Sequence, residues 1–312
     1  MNTISIRDAY GAALAACGKS DDRVVVLDAD VSASTKSGIF QKACPERFFN
    51  VGIAEANMTA MAAGFAAVGK IPFVNTFAVF LTSIGLTAAR IFGSYSGLPV
   101  KLVGAYGGIS DALDGPSHHS LEDIAVMRAL PNFKVFVASD ARQCAWMVEN
   151  ALTDMSPMYL RMSREAFADI YGPDETFTAG KGKIVREGED ATVIACGLMV
   201  GNALEAAQML EKKGVRLRVV DMFTIKPLDE ELVLRCAGET GAIITAEEHS
   251  VLGGLGGAVC EVLCQNGATA SVGMVGMRDT HADCGSYAQL QQIYGLDAGA
   301  IARKVLETLE KR

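Results

Sequence analysis

The residue in this chain most suggestive of chemistry is Glu55, which lies in the run Val51-Gly-Ile-Ala-Glu-Ala-Asn-Met58. Its neighbours are mostly small or apolar, so we expect the carboxyl to be buried, and burying an unpaired carboxylate costs free energy. Burial favours the protonated form, which can donate a hydrogen bond at neutral pH. The run therefore predicts a recipient for Glu55, although the dipole of a helix N-terminus could also satisfy a glutamate at this position.

A pair of aromatic residues, Phe77 and Phe80, follows the β-rich run that begins at Ile71. If the chain turns helical there, the two rings lie close enough to form one apolar surface. Core packing is one interpretation of such a pair. The other is a flat surface that receives the ring of an aromatic cofactor.

A polar loop between residues 104 and 120 contains two of the four histidines of the chain. The dipeptide Gly115-Pro116 favours a tight turn, so Asp114 and His118 can be held at defined positions with His119 beside them. Loops that carry titratable groups on a rigid scaffold are typical of functional sites.

The elements that must position these residues are short β-rich runs separated by longer, alanine-rich helical segments. This alternation predicts an α/β fold with a mostly parallel sheet covered by helices, and ligands gather at the carboxyl ends of such strands. The uncharged run 71–89 is interpreted as a buried strand that passes into a helix, rather than as a membrane span. The predicted strands of the first half are 24–28, 71–75, 100–104 and 134–138.

The same alternation restarts after a stretch without clear periodicity. We expect a first domain over residues 1–168, a linker over 169–183 and a smaller α/β domain over 184–312. The predicted elements of this second domain are strands at 191–195, 216–220 and 242–246 and helices at 202–213, 229–237 and 256–265.

Composition excludes several classes of function. The chain has 312 residues, a net charge of −8 and no long cluster of Lys and Arg, so nucleic acid is not an expected partner. Its eight cysteines are scattered without zinc spacing, which predicts buried free thiols and a cytoplasmic location. The run Gly253-Gly-Leu-Gly-Gly257 breaks the dinucleotide-binding pattern at Val259, so we expect close packing of a helix on a strand there.

Three motifs in this order resemble a known family: Gly52-Ile-Ala-Glu55, Thr76-Phe-Ala-Val-Phe80 and Asp114-Gly-Pro-Ser-His118. Together they resemble the C-terminal half of transketolase, and more specifically the separate C-terminal subunit of the split transketolases of some prokaryotes. The resemblance covers essentially the whole chain. The first part looks like the pyrimidine-binding domain of thiamine diphosphate enzymes, and the second like the transketolase C-terminal domain.

By this resemblance, Glu55 matches the glutamate that hydrogen-bonds N1′ of the cofactor aminopyrimidine. Phe77 and Phe80 match aromatic residues that pack around the pyrimidine, and Asp30 matches an aspartate near the cofactor. The resemblance thus implies that the aminopyrimidine is the hydrogen-bond partner expected for the buried Glu55.

The resemblance also implies a substrate site. Asp114 and His118 match a catalytic pair that contacts substrate hydroxyls, whereas Arg7, Ser34 and Arg164 match positions that hold the terminal phosphate of the substrate. The fixed fork of an arginine suits phosphate binding. Without the family, a surface salt bridge is the simpler interpretation of each arginine.

The chain departs from the common family pattern at four positions. Ala54 and Ala56 flank the glutamate where many transketolases have arginine and histidine, Ser83 stands where a third aromatic is common, and Tyr106 stands where a substrate-binding histidine is common. The reaction type is therefore better determined than the substrate, which could be an ordinary sugar phosphate or a related anionic sugar.

The family motif for metal and diphosphate, Gly-Asp-Gly followed about thirty residues later by Asn, occurs nowhere in the sequence. The diphosphate needs a divalent cation with oxygen ligands. We therefore expect no metal ligands in this chain. We expect a transketolase N-terminal subunit to hold Mg²⁺ or a similar cation and the diphosphate end of thiamine diphosphate, in an α2β2 assembly.

The implied activity is transfer of a two-carbon ketol unit from a ketose to an aldose, in carbohydrate metabolism of the pentose phosphate type. Enzymatic alternatives are a deoxyxylulose-phosphate synthase-like condensation and a 2-oxoacid dehydrogenase β-subunit-like reaction. A non-catalytic partner subunit is the alternative from another class.

Overall fold

The computed structural model describes residues 5–166 and 168–312, which form two β-sheets flanked by helices. The strands are β1 Val24–Asp28, β2 Phe48–Asn50, β3 Ile71–Phe77, β4 Lys101–Ala105, β5 Lys134–Val137, β6 Met158–Arg161, β7 Lys183–Arg186, β8 Ala191–Ala195, β9 Leu217–Asp221, β10 Thr224–Lys226, β11 Ala242–Ser250 and β12 Ser271–Met277. The α-helices are α1 Ile6–Ser20, α2 Ser32–Thr35, α3 Gly38–Ala43, α4 Glu55–Ala67, α5 Ala78–Ser83, α6 Leu86–Ala88, α7 Asp123–Ala129, α8 Ala141–Thr153, α9 Met199–Glu211, α10 Glu230–Thr240, α11 Leu255–Gln265, α12 Tyr287–Ile293 and α13 Ala298–Leu309. A 3₁₀ turn spans Pro45–Arg47, and a π-helical segment spans Ala89–Tyr95.

The first sheet has seven strands in the order β10-β5-β6-β4-β3-β1-β2. All neighbours are parallel except β10, which pairs antiparallel with β5. Strands β1, β3, β4 and β6 are buried along their whole length. Such burial along the whole strand is typical of a parallel sheet with helices on both faces, and the prediction of a mostly parallel sheet is confirmed.

The second sheet has five strands in the order β12-β11-β8-β9-β7. Only the edge strand β7 is antiparallel to its neighbour. Each of the predicted strands and helices of the second half coincides with an element here to within a few residues. The close packing predicted for the glycine run is also present, because a Cβ on Gly254 would lie 2.0 Å from a carboxylate oxygen of Glu247 on β11.

The uncharged run 71–89 forms β3 followed by α5 and α6, as predicted. Among the described residues, no helix is long and apolar enough to cross a bilayer. The prediction of buried thiols needs correction, since Cys264 and Cys284 are exposed and Cys260 is half-buried. These three cysteines lie on or after α11, where the thiols fall outside the cores formed by the two sheets.

Each half of the chain contributes residues to the sheet or the core of the other half. Strand β10 follows the second-half strand β9 in sequence, yet it extends the first sheet. Conversely, Ile109, Ala112 and Leu121 of the polar loop belong to the hydrophobic core of the second sheet. The domain limits 1–168 and 184–312 with a linker at 169–183 stay a prediction, and Phe167 lies outside the described residues.

Candidate active site

The predicted site residues follow the carboxyl ends of four neighbouring strands of the first sheet. Asp30 comes two residues after β1, Glu55 begins the helix that follows β2, Phe77 is the last residue of β3, and Tyr106 directly follows β4. Parallel strands bring these ends to one edge of the sheet, which is where α/β folds place their ligands.

Glu55 is 4% exposed, which confirms the predicted burial. It is the first residue of α4, whose N-cap, Ala54, provides no side-chain hydrogen bond. The backbone carbonyl of Glu55 accepts a hydrogen bond from Thr59 Oγ1 at 2.9 Å. Within residues 5–166 and 168–312 no hydrogen bond reaches the Glu55 carboxyl itself, so the local cap does not satisfy it.

Phe77, Phe80 and His118 form an aromatic cluster at this edge. The centroids of the two phenylalanine rings are 5.9 Å apart, as expected if α5 continues directly from β3. The His118 ring meets both rings edge-on, at 5.8 Å from Phe77 and 5.3 Å from Phe80. The predicted aromatic surface is therefore present, and it includes one titratable side chain.

Tyr106 links this cluster to two arginines. Its ring stacks on Phe77 with centroids 4.6 Å apart. The guanidinium carbons of Arg7 and Arg164 lie 5.0 Å and 5.3 Å from the centre of the Tyr106 ring, within the range of cation–π attraction. Arg7 Nη1 also donates to the Tyr106 hydroxyl at 2.8 Å and to the Ser34 carbonyl at 2.7 Å.

Tyr106 has a backbone φ of +62°, a left-handed conformation that is uncommon for a bulky residue. Such strain persists only where surrounding contacts maintain it. Here the Phe77 stack and the Arg7 hydrogen bond hold the ring in place, and the residue is buried. Tyr106 is one of the four departures from the common family pattern. It contacts the predicted cofactor residue Phe77 as well as the predicted phosphate residues Arg7 and Arg164.

Sequence reasoning missed Asp111, whose fully buried carboxylate forms an ion pair with Arg164 Nη1. Burial raises the pKa of Asp111, Arg164 opposes that shift, and nearby Asp114 adds to it. Asp111 lies in the polar loop that the sequence singled out. Its type and spacing do not distinguish it from Asp114, whereas the structure buries Asp111 fully and leaves Asp114 exposed.

The loop turns sharply at Gly115, which has a φ of +82°, and His118 N–H donates to the Gly115 carbonyl at 2.9 Å. The predicted tight turn is thus present, and Ser117 Oγ lies 2.9 Å from His118 Nδ1. Asp114 is exposed. His119 is buried without a hydrogen-bond partner for either ring nitrogen in the described part of the chain, and burial lowers its pKa.

Two acidic residues at the carboxyl end of β1 behave differently. Asp30 is exposed, with a φ of +66°, and accepts a hydrogen bond from Asn50 Nδ2 at 2.7 Å. The fully buried Asp28, which sequence reasoning also missed, accepts hydrogen bonds from Val31 N–H, Thr35 Oγ1 and Ser37 Oγ. Burial raises the pKa of Asp28, and its bonds fix the turn whose Ser34 carbonyl receives Arg7.

The structure therefore brings most of the predicted site residues together. Direct contacts join the group formed by Arg7, Ser34, Phe77, Phe80, Tyr106, His118 and Arg164. Glu55 and Asp30 lie at the same edge of the sheet, and neither has a hydrogen bond or ring contact to this group in the described residues. Those residues also contain no cluster of His, Cys, Asp and Glu that could hold a metal ion.

Comparison with known proteins covers nearly the whole chain. Residues 2–169 match the family description "Transketolase, pyrimidine binding domain", and residues 180–301 match "Transketolase, C-terminal domain". A 6-deoxy-6-sulfo-D-fructose transketolase subunit of Clostridium sp. is 39% identical over 98% of this chain and 95% of its own length.

Human transketolase is 39% identical over 99% of this chain, which corresponds to 49% of the human protein. A solved structure described as "Split gene transketolase, inactive beta4 tetramer" is 44% identical. It superposes with a TM-score of 0.90 over 99% of both chains.

Proposed function

The chain belongs to the transketolase family, and from that membership we propose that it is the C-terminal subunit of a two-chain transketolase. The observation that carries this proposal is Glu55, a residue only 4% exposed whose carboxyl has no hydrogen-bond partner in the described chain and which lies at the same sheet edge as the aromatic cluster. A carboxyl at this edge that no protein group engages is available to hydrogen-bond a ligand group. Similarity to a separate transketolase subunit over 98% of this chain and 95% of that subunit supports the proposal.

The residues fit the pyrimidine end of thiamine diphosphate. We propose that Glu55 hydrogen-bonds a pyrimidine nitrogen, that Phe77 and Phe80 provide apolar surface for the ring, and that Asp30 lies near the cofactor. The cofactor would supply the reactive carbon through which the two-carbon unit is transferred. The part assigned to Glu55 is to donate a proton into a hydrogen bond and fix the charge distribution of the ring.

The remaining predicted residues suit an anionic, hydroxylated substrate. We assign Asp114 and His118 to the substrate hydroxyls, with His118 held by two phenylalanine rings and by Ser117 Oγ. Arg7 and Arg164, both beside the Tyr106 ring, together with Ser34 would bind the terminal anion. A sugar phosphate is the first candidate, and a sugar sulfonate the second, because both place a tetrahedral anion at the end of a polyol chain.

The proposal includes a partner chain. An N-terminal transketolase subunit would provide the diphosphate site and its Mg²⁺, since the sequence lacks the family motif for both. An α2β2 assembly, a cytoplasmic location and a role in pentose phosphate metabolism belong to the same proposal and rest on the sequence and the resemblance.

The direct experiment is to purify this chain alone and together with its N-terminal partner, then to assay ketol transfer and thiamine diphosphate binding. Activity that requires both chains and thiamine diphosphate is expected. Full activity of the isolated chain would contradict the two-chain proposal. Ketose phosphates, a ketose sulfonate, unphosphorylated ketoses and pyruvate should be compared as donors, and a preference for pyruvate would favour the decarboxylating alternatives.

A further inference from the structure

The polar loop that carries Asp111, Asp114 and His118 is packed into the second half of the molecule. Ile109, Ala112 and Leu121 are at most 6% exposed and lie in one hydrophobic cluster with residues of the second sheet. Backbone hydrogen bonds between Gly108 and Ser120, 2.9 and 3.0 Å long, close the base of the loop. The conformation of the loop therefore depends on residues more than a hundred positions away.

Two polar side chains of the second half meet this loop directly. Glu248, near the carboxyl end of β11, accepts a hydrogen bond from the Ile109 N–H through Oε1 at 2.7 Å. Its other oxygen accepts a hydrogen bond from the Tyr287 hydroxyl at 2.6 Å. Tyr287 is the first residue of α12, and its hydroxyl accepts in turn from Gln291 Nε2 at 3.1 Å.

The loop backbone at Gly108 lies so close to the Glu248 carboxylate that a side chain at this position would collide with it. Gly108 has a φ of +70°, and a Cβ placed on it would lie 2.4 Å from Glu248 Oε1. A second close approach occurs at Gly115, where a Cβ would lie 2.2 Å from Cys284 Sγ. Gly285 N–H also donates to the Ala112 carbonyl at 3.1 Å. The second half of the chain thus holds the loop at three separate points.

The segment held at Ile109 determines where an anion-binding group lies. Tyr106 precedes Ile109 by three residues and Asp111 follows it by two, and both side chains contact the Arg164 guanidinium. Ser110 Oγ accepts a hydrogen bond from the Arg164 backbone N–H at 3.1 Å. A shift of this turn would therefore move every described contact that orients Arg164 toward Tyr106.

We propose that Glu248 and Tyr287 of the second domain are positioning residues for the substrate site. They fix the turn around Ile109 and through it the orientation of Arg164, and so they set the affinity for the anionic end of the substrate. The expected effect on substrate affinity rests on the proposed function. The expected effect on the conformation of the loop rests on the contacts alone. It gives the second domain a defined part in substrate binding.

The electrostatics agree with a role beyond packing. Burial raises the pKa of Glu248 to about 7, while Tyr287 and Arg161 oppose that shift. A carboxylate at this position therefore costs free energy that an apolar side chain of similar size would not. What the carboxylate adds is a directed acceptor for one particular backbone N–H of the loop.

The test compares Glu248→Ala, Tyr287→Phe and Glu248→Gln in the reconstituted two-chain enzyme. The matched control is Glu247→Ala, which removes a neighbouring buried carboxylate that accepts hydrogen bonds from the N-terminus of α11 and not from the loop. We expect KM for a phosphorylated ketose to rise about tenfold in Glu248→Ala and about threefold in Tyr287→Phe, with kcat changed less than about twofold. Glu248→Gln should recover most of the loss, because its amide oxygen can still accept from Ile109.

Amide hydrogen exchange provides a second readout that does not need activity. Residues 107–112 should exchange faster in Glu248→Ala and Tyr287→Phe and at the parent rate in Glu247→Ala. Folded variants with unchanged KM and unchanged exchange would overturn the proposal, and so would an equal rise of KM in the control. If the parent complex shows no ketol transfer, the proposed function is contradicted. Faster exchange of residues 107–112 in Glu248→Ala and Tyr287→Phe than in that parent would still support the positioning contacts.

Discussion

Two regions of this molecule use the same residue types in opposite ways. Where the two halves of the chain meet, Asp123 Oδ2 accepts hydrogen bonds from Arg161 Nε and from the Tyr159 hydroxyl, each at 2.6 Å. Arg161 Nη2 donates to the Glu248 carbonyl at 2.9 Å. We call the group Asp123, Tyr159 and Arg161 the interdomain triad. All three residues are at most 5% exposed, and Arg161 lowers the pKa of Asp123 despite its burial.

At the candidate active site, an acid, two arginines and a tyrosine are arranged without an ion pair between Glu55 and an arginine in the described residues. Glu55 is 4% exposed and its carboxyl receives no hydrogen bond from the described chain, and Arg7 Nε is a buried donor without a partner there. Arg164 remains partly exposed beside the Tyr106 ring. Residue type alone does not separate a structural charge from a functional one. The two acids differ in whether an arginine of the protein pairs with them: Arg161 pairs with Asp123, whereas no described cation pairs with Glu55.

The largest expected effect is loss of activity in Glu55→Gln. Removing the acidic proton donor should lower kcat of the reconstituted enzyme by about 10²- to 10⁴-fold, the usual range for a positioned acid or base. The melting temperature should change little, because no protein hydrogen bond to the carboxyl is lost. Activity within a factor of about ten of the parent would remove Glu55 from its assigned role and weaken the contrast between the regions.

Arg161→Ala should produce the opposite result. It leaves the Asp123 carboxylate buried without its cation, and breaking a buried pair in this way costs about 3 to 5 kcal/mol of unfolding free energy. Urea unfolding of the isolated chain measures this loss, with Glu55→Gln as the matched comparison. A loss below about 1 kcal/mol, the value typical of exposed pairs, would show that the interdomain triad is not the structural counterpart of the site.

Tyr106→Phe tests the residue that joins the two arginines. The variant keeps the aromatic stack on Phe77 and removes the hydroxyl that accepts from Arg7. A hydrogen bond of about 1 kcal/mol predicts roughly a fivefold rise in KM for phosphorylated substrates. An unphosphorylated ketose is the control, and an equal rise in its KM would indicate general disorder of the site rather than loss of anion binding.

The smallest effect concerns the pH dependence of stability at Asp221, a buried carboxylate between the two sheets. It accepts hydrogen bonds from Ser139 Oγ, Gln143 Nε2 and the Tyr171 hydroxyl, yet burial raises its pKa to about 6. Because the folded state holds this proton more tightly than the unfolded state, the contribution of Asp221 to stability declines as pH rises from about 4 through about 6.

Asp221→Asn removes that decline. The difference in melting temperature, variant minus parent, should therefore increase between pH 4.5 and pH 7.5. A constant offset between the two proteins does not affect this expectation. Asp22→Asn, at a 97% exposed side chain, is the control and should run parallel to the parent. A difference between Asp221→Asn and the parent that does not change with pH would contradict the assigned protonation.

Local patterns in the sequence were enough for much of the first sheet and part of the site. The run 24–28 is apolar up to its last residue, Asp28, and it forms β1 with the predicted limits. The spacing of Phe77 and Phe80 was enough to predict adjacent rings, because a strand that turns into a helix places residues three apart side by side. Burial of Glu55 likewise followed from its immediate neighbours.

The sequence by itself determined the α/β class, seven of the strands and the family to which the motifs belong, because these depend on periodicity and short motifs. Tertiary structure decided that β10 joins the first sheet and that Asp111, rather than Asp114, holds Arg164. It also decided that Glu248 meets Ile109, a pair separated by 139 positions. Such contacts depend on how the sheets pack against each other, and no local pattern of residues specifies that packing.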